Sequence, residues 1–533
     1  MDTSTIQRRR WVILGVLVVG LLAIVIDNTV LNVALKTIAN PVGGLGASQS
    51  QLEWAINSYT LVFAGLLFTF GVVGDRVGRR RMLIIGLALF GLGSLLSAYA
   101  HSPAELIAAR AAMGLGGAAV MPQTLSIISN VFEPHERARA IGIWASAVGI
   151  GVAIGPVLGG LLLAHFWWGS VFLINVPVTV LGAAAVFGLV PESRNPDPGK
   201  IDYVGVLASI VGLVLLVYGI VQGGDGASWT GASVLGPVLG GLAVLAAFAW
   251  YESRISHPSL DVRLFRDRRL SASVGAIAVL FFGMGGVFFF TSFYLQNVRG
   301  YAPLSAGLLA VPFAVGQFIT APRSASLVTK YGVRSVAAAG MLLNAVVIGG
   351  YSFLGTASPI WILAVMFGIQ GAGMGLAMPV ATAAVMDVLP RELAGAGSAL
   401  TNTARQVAVA LGVAVLGSIL AQSYRGSMTP TLAQLPASAR DGAGQSITAT
   451  QAVAAHLGHA GNFLLGPANV AYVDAMRVTT LVAAVIAVLG VLVLMRWMPG
   501  RPRPSIEEEV ASEVAAAERE LAAARQLAES ERH

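Results

Sequence analysis

WVILGVLVVGLLAIVIDNTVLNVA, residues 11–34, contains a single charged side chain, Asp27. As a helix rising 1.5 Å per residue, this stretch reaches about 36 Å, enough to cross roughly 30 Å of hydrocarbon. An open sheet edge could not be satisfied in lipid, so a helix is the form expected. Runs of the same kind recur at 52–73, 82–100, 104–129, 137–163, 168–190, 201–221, 231–251, 270–297, 303–327, 334–355, 359–386, 395–421 and 472–496. The fold class is therefore an all-α polytopic membrane protein with fourteen transmembrane helices. Composition agrees: 56% of the 533 residues are hydrophobic and 11% charged, against about 25% charged in soluble chains. The first run has no small-residue cleavage site, and Asp27 and Asn28 interrupt it, so it is expected to be retained. With no cysteine, disulfides and thiolate metal sites are excluded.

Basic residues fall on one side of these spans. Arg8, Arg9 and Arg10, the Arg76–Arg81 cluster, Arg137, Arg139, Arg194, Lys200, Arg254, Arg263, Arg266, Arg268 and Arg269 share it, and so do Arg323, Lys330, Arg334, Arg391, Arg496, Arg501 and Arg503. The other side shows Lys36, Arg299, Arg425, Arg440 and Arg477. The bias assigns the first side, with both termini, to the cytoplasm of a multi-pass protein of the cytoplasmic (inner) membrane. The net charge of +7 reflects contact with anionic membrane lipids and needs no nucleic acid. Residues 422–471 form a long outward connection, a lid or a passive tether, with LPASARDGAG and QAVAAHLGHAG as short helices. The tail opens with Ser505 and Glu508 in capping-box spacing and continues as an acidic amphipathic helix, solvated or docked on the basic loops.

Of the 26 acids, only Asp27 lies well inside a span, about 24 Å up the first helix from Trp11. Desolvation favours its protonated form and a bound cation its ionised form, which is the physical basis of proton-for-cation exchange. The other reading is a structural hydrogen bond made by the Asp27-Asn28-Thr29 cluster. Arg110 stands about six residues into the fourth span, close to the same layer. It stays charged, so it cannot accept the proton, but its field can release one from a nearby carboxylate; alternatively its fork ties helix carbonyls. Arg405, ten residues into the thirteenth span, is a second buried cation, structural or facing an anionic group.

GVAIGPVLGG, with Gly151, Gly155, Pro156, Gly159 and Gly160, sets small residues on neighbouring faces of the fifth span, suited to close contact and a kink. GLGGAA at 114–119 and GIQGAGMGLAMP at 368–379 repeat the theme. Such contacts suit rocking between packed states around a central site. The turn GVVGDRVGRRRML, residues 71–83, is a candidate gate or a topology anchor. In it, Gly71, Gly74 and Gly78 permit tightness, Asp75 can accept hydrogen bonds from a facing helix end, and Arg76, Arg79 and Arg80 anchor at lipid.

The 71–83 turn resembles the cytoplasmic loop motif of the fourteen-span drug:proton antiporter branch of the major facilitator superfamily, and 151–160 resembles its fifth-span antiporter motif. DNTVLNVAL at 27–35 is similar to the first-span motif, with Lys36 where proline is common. LIAARAAMGLG at 106–116 carries the expected Arg110, with Met113 where glutamine is frequent. FLINVP (172–177), LDVRLFRDR (260–268), FYLQNVRGYAPLSAGL (293–308) and RELAGAGSALTNTARQ (391–406) extend the resemblance. It implies a six-helix bundle at 11–190 after a cytoplasmic segment 1–10, an inserted helix pair at 201–251 and a linker at 252–269. A second bundle at 270–496 and the tail 497–533 complete the arrangement. It implies a monomer, alternating access, protons as the coupling ion with no cofactor or metal, and export of lipophilic drugs, dyes or antiseptics.

By the same resemblance, Asn57 stands where some members that export dications carry an extra acid, which argues against dications and for monocationic cargo. Candidates for the substrate cavity are Asn28, Asn57, Tyr59, Met113, Phe289, Tyr294 and Arg405. Two alternatives stay open. One is export of an endogenous lipid or antibiotic, neutral or anionic. The other is a membrane-embedded enzyme, for which no nucleophile and base stand out and the seven histidines form no ligand cluster.

Overall fold

A computed structural model describes residues 3–194, 202–224, 227–255, 262–388, 394–435 and 437–498, with the side chains of 3–7, 68 and 394–399 and some within 134–153 and 437–441 excluded. The expected tail helix, and Lys200, Arg391, Arg501 and Arg503 of the basic side, lie outside these residues. The described residues are helical almost throughout. The first half comprises α1 (Thr3–Ala39), α2 (Gln49–Val77), α3 (Arg79–Ala98), α4 (Pro103–Val131), α5 (Pro134–His165) and a sixth span broken into α6 (Ser170–Leu173) and α7 (Asn175–Leu189). A pair, α8 (Tyr203–Gly224) and α9 (Ala232–Glu252), follows. Then come α10 (Arg268–Phe293), α11 (Pro303–Leu308), α12 (Ala310–Tyr331), α13 (Val333–Gly350), α14 (Ile360–Val388), α15 (Ala394–Leu432), α16 (Ala437–Gly444), α17 (Ile447–His456) and α18 (Leu465–Trp497).

Among the described residues, 12 helices are long and apolar enough to cross a membrane, and 13 if α2, bent by 56°, counts as one. With the 32-residue α5, the order fits the fourteen spans expected. Local chemistry sets the starts: Ser48 and Gln51 close a capping box on α2, Ser102 caps α4 ahead of Pro103, and Asp267 accepts from the first amides of α10. The connection expected at 422–471 is shorter, because α15 continues to Leu432 and α18 begins at Leu465. The apolar stripe explains the extension, since Tyr424, Met428 and Leu432 recur every four residues and are buried.

Helices α1 to α7 pack among themselves, as do α10 to α18, with α8 lying against both α2 and α15. Bonds between the halves gather at the helix ends remote from Arg10. There Lys36 Nζ donates to the Gln296 carbonyl and Ser292 Oγ to the Asn32 carbonyl. Gln296 Nε2 reaches the Val33 carbonyl at 2.9 Å, and Gln49 Nε2 the Gly417 carbonyl at 2.9 Å. At the basic end, Arg10 pairs with Glu136 at 2.7 Å within the first half.

Candidate functional site

Asp27 is wholly buried and Arg110 is 1% exposed. Arg110 Nη1 pairs with Asp27 Oδ2, and Asn175 Nδ2 donates to Oδ1 at 3.1 Å, so each carboxylate oxygen has a donor on another helix. Arg110 is itself held from four directions. Its Nε donates to the Ala55 carbonyl at 3.1 Å, its guanidinium lies 4.4 Å from the Tyr59 ring centroid and 5.8 Å from that of Phe172, and Met113 Sδ stands 3.7 Å from Nη1. Small residues let these helices close in. A Cβ on Gly93 would strike Met113, and one on Gly117 would strike Phe63 and Tyr59. A charge pair this deep stands only while both partners and their hydrogen bonds are present.

Beside the pair lies a cavity of about 130 Å³ between the halves. Asn28, Thr29 and Asn32 of α1 form its polar stripe; Phe281, Met284 and Phe288 of α10 form an apolar wall; Arg110 and Arg405 enter it from α4 and α15. Asp27 does not line it, because its carboxylate points behind Arg110. Of the residues expected to line a cavity, Asn28 and Arg405 do so. Tyr59 and Met113 stand behind, packed on Arg110, with Tyr59 Oη 3.2 Å from Asn28 Nδ2. Asn57 is fully buried, with no hydrogen-bond partner on either amide atom. Phe289 stacks edge-on against Phe293, and Tyr294 donates to the Gly355 carbonyl at 2.6 Å, both away from the lining.

The fifth-span glycines divide between two jobs. Added Cβ atoms on Gly151, Gly155 and Gly159 would meet Val25, Thr29 and Val30 of α1. One on Gly160 would meet Leu304 backbone, and one on Gly307 would meet the Pro156 carbonyl, so that face bears on α11 in the other half. In the 71–83 turn, Gly71 lies against Pro122, Gly74 against the Gln123 amide, and Arg76 stands in the last turn of α2. Gly78 takes φ +121°, a conformation costly for any side chain. Asp75 meets Arg79 Nε at 2.8 Å, four residues on in the same turn, rather than a facing helix end. The acid at a helix start is Glu192, which accepts from Arg80 N at 3.1 Å and lies 3.8 and 3.6 Å from Arg80 and Arg81.

Sequence reasoning missed Asn175, Glu192, Leu304 and Gly307. A lone amide in the apolar FLINVP run was the available signal for Asn175. No cluster of metal-ligating side chains occurs among the described residues.

Two helical halves around a central cavity, with ionisable groups sealed in apolar helices, define a membrane transporter. The chain belongs to the Major Facilitator Superfamily, whose family model matches residues 17–413 and 275–528. It is 35% identical to the "Multidrug efflux pump LfrA" of Mycolicibacterium smegmatis, over 92% of this chain and 97% of that one. It is 34% identical to the "Methyl viologen resistance protein SmvA" of Salmonella typhimurium, over 79% and 84%. A bacterial homologue of the human lysosomal transporter Spinster, in an inward-facing unoccupied conformation, shares the fold with TM-score 0.65, 18% identity and coverage of 93% and 99%.

Proposed function

We propose that this transporter exports lipophilic drugs in exchange for protons, from the cytoplasmic membrane with both termini in the cytoplasm. The Asp27–Arg110 pair is the observation that carries the reading: a titratable group sealed from water, one side chain away from the cavity. Protonating Asp27 frees Arg110 from its ion pair, and drawing Arg110 back onto Asp27 expels the proton, so cargo that moves Arg110 also moves the proton. The names of the relatives support a drug cargo. The halves rock about the joint at α5 and α11, exposing the cavity to one side at a time. Protons are the coupling ion, no cofactor takes part, and the chain works as a monomer among anionic lipids. A monocationic cargo, the charge that Asn57 suggested, can meet the Asp27 carboxylate only once that acid is parted from Arg110, and it competes there with the positive charge of Arg405 on the cavity wall.

The test uses the purified full chain in proteoliposomes with an imposed pH gradient and ethidium as cargo. Ethidium uptake driven by the gradient, together with proton movement stimulated by ethidium, is the expected result. Ethidium flux that ignores the gradient overturns proton exchange.

A further inference from the structure

Arg405 is the one cavity-lining cation that no carboxylate neutralises among the described residues. Arg110 shares the wall but is paired with Asp27. Arg405 Nη2 donates to Asn402 Oδ1 at 2.6 Å, one residue turn away on α15, and its guanidinium lies 5.4 Å from the Phe281 ring centroid. Those two contacts fix the plane of the guanidinium, and the other N–H donors of the fork have no hydrogen-bond partner among the described residues. Gln406, next to it, lines the same cavity. Across the space stand Asn28, Thr29 and Asn32, and the rest of the lining is apolar apart from Thr60, Arg110 and Gln406.

Once the Asp27–Arg110 pair is counted as neutral, the cavity carries one net positive charge at a fixed place. A charge in an apolar pocket loses solvation that only a partner restores. The protein supplies neutral Asn402 and the face of Phe281, and neither cancels the charge. A planar fork with spare donors matches a carboxylate or another oxygen pair, and repels a cation brought alongside it.

We propose that Arg405 is a specificity-determining residue that receives an anionic or strongly hydrogen-bond-accepting group, such as a carboxylate, on an otherwise aromatic cargo. The aromatic body lies against Phe281, Met284 and Phe288. This rests on the exporter reading and deepens it by naming the cargo's polar end. It also sets an order of preference: acceptor-bearing lipophiles first, neutral ones next, permanent cations last.

Three probes on one pyrenylbutyl frame, ending in a carboxylate, an alcohol or a trimethylammonium group, isolate the charge. Binding to the purified full chain is read by quenching of tryptophan fluorescence, and transport by efflux from proteoliposomes with a pH gradient. The wild type is expected to bind the carboxylate about tenfold more tightly than the alcohol, and the ammonium most weakly. Arg405→Gln should abolish the carboxylate preference, and Arg405→Lys should keep the order with a smaller ratio, since charge remains and the fork is lost. A wild type that prefers the ammonium probe overturns this inference and leaves the exporter reading standing, even if the Gln variant does not fold. A folded Arg405→Gln protein that still favours the carboxylate tenfold overturns it as well. A wild type that binds and moves none of the three overturns both.

Discussion

Asn175, at the start of α7, holds Oδ1 of Asp27 with the same amide nitrogen that reaches Ser94 Oγ at 3.0 Å. One neutral side chain thereby ties the first, third and sixth spans at the level of the acid. Replacing it with leucine keeps the bulk but removes a buried donor from a buried carboxylate, which costs about 1–3 kcal/mol. Asn175→Leu should melt at a lower temperature in detergent than the wild type, and Ser94→Ala should lose less. Equal melting temperatures for all three proteins would count against this bond.

Asp27→Asn removes the titratable group and leaves Arg110 charged in a dry site. Breaking a buried pair from one side costs about 3–5 kcal/mol. Gradient-driven efflux should lose its proton-dependent part, and substrate should no longer release protons from the purified protein. Adding Arg110→Gln should restore part of the lost stability without restoring coupling, so the two substitutions are non-additive. Wild-type coupling in Asp27→Asn would remove the acid from the mechanism.

Gly160→Leu places a side chain where Leu304 backbone lies, between the halves, whereas a Cβ at Gly188 meets nothing. The first substitution should hold α5 away from α11 and slow transport at least about tenfold, with expression little changed; Gly188→Leu should do neither. Because the chain has no cysteine, the joint can be followed directly by cross-linking Val33→Cys to Gln296→Cys. The cross-link should form readily in the parent and poorly with Gly160→Leu.

Voltage dependence should grade with cargo charge. If Asp27 carries one proton inward per cycle, an exported monocation leaves the exchange electrically silent. A neutral cargo moves one charge and a monoanion two, each worth about 2.3 kcal/mol per 100 mV. Potassium-diffusion potentials at fixed pH, applied to the three pyrenylbutyl probes, measure the gradation. Equal voltage response for all three would exclude a single fixed proton count.

The fold class was legible because hydrocarbon leaves so few options: apolar runs of sufficient length, separated by arginine, can only be spanning helices. Asp27 and Arg110 were legible for the same reason, since charges inside such runs stand out and rise per residue sets their depth. Which way a helix faces was less accessible. Tyr59 and Met113 occupy the right layer, yet their helices turn them behind Arg110 rather than into the cavity. That rotation depends on where Gly93 and Gly117 let neighbouring helices approach. Asn175 and Glu192 were hidden because a single amide in an apolar run, or an acid in a loop, acquires its meaning only from a partner far along the chain.

Helix α5 touches α1 at Thr29 through Gly155 and touches α11 through Pro156 and Gly160, positions one and five residues further on. Thr29 is two residues from Asp27. The helix is therefore shaped like a short crank, with one throw against the opposite half and the other beside Asp27. A slide of α11 along it would be delivered, across less than two helical turns, to the backbone that aims the carboxylate.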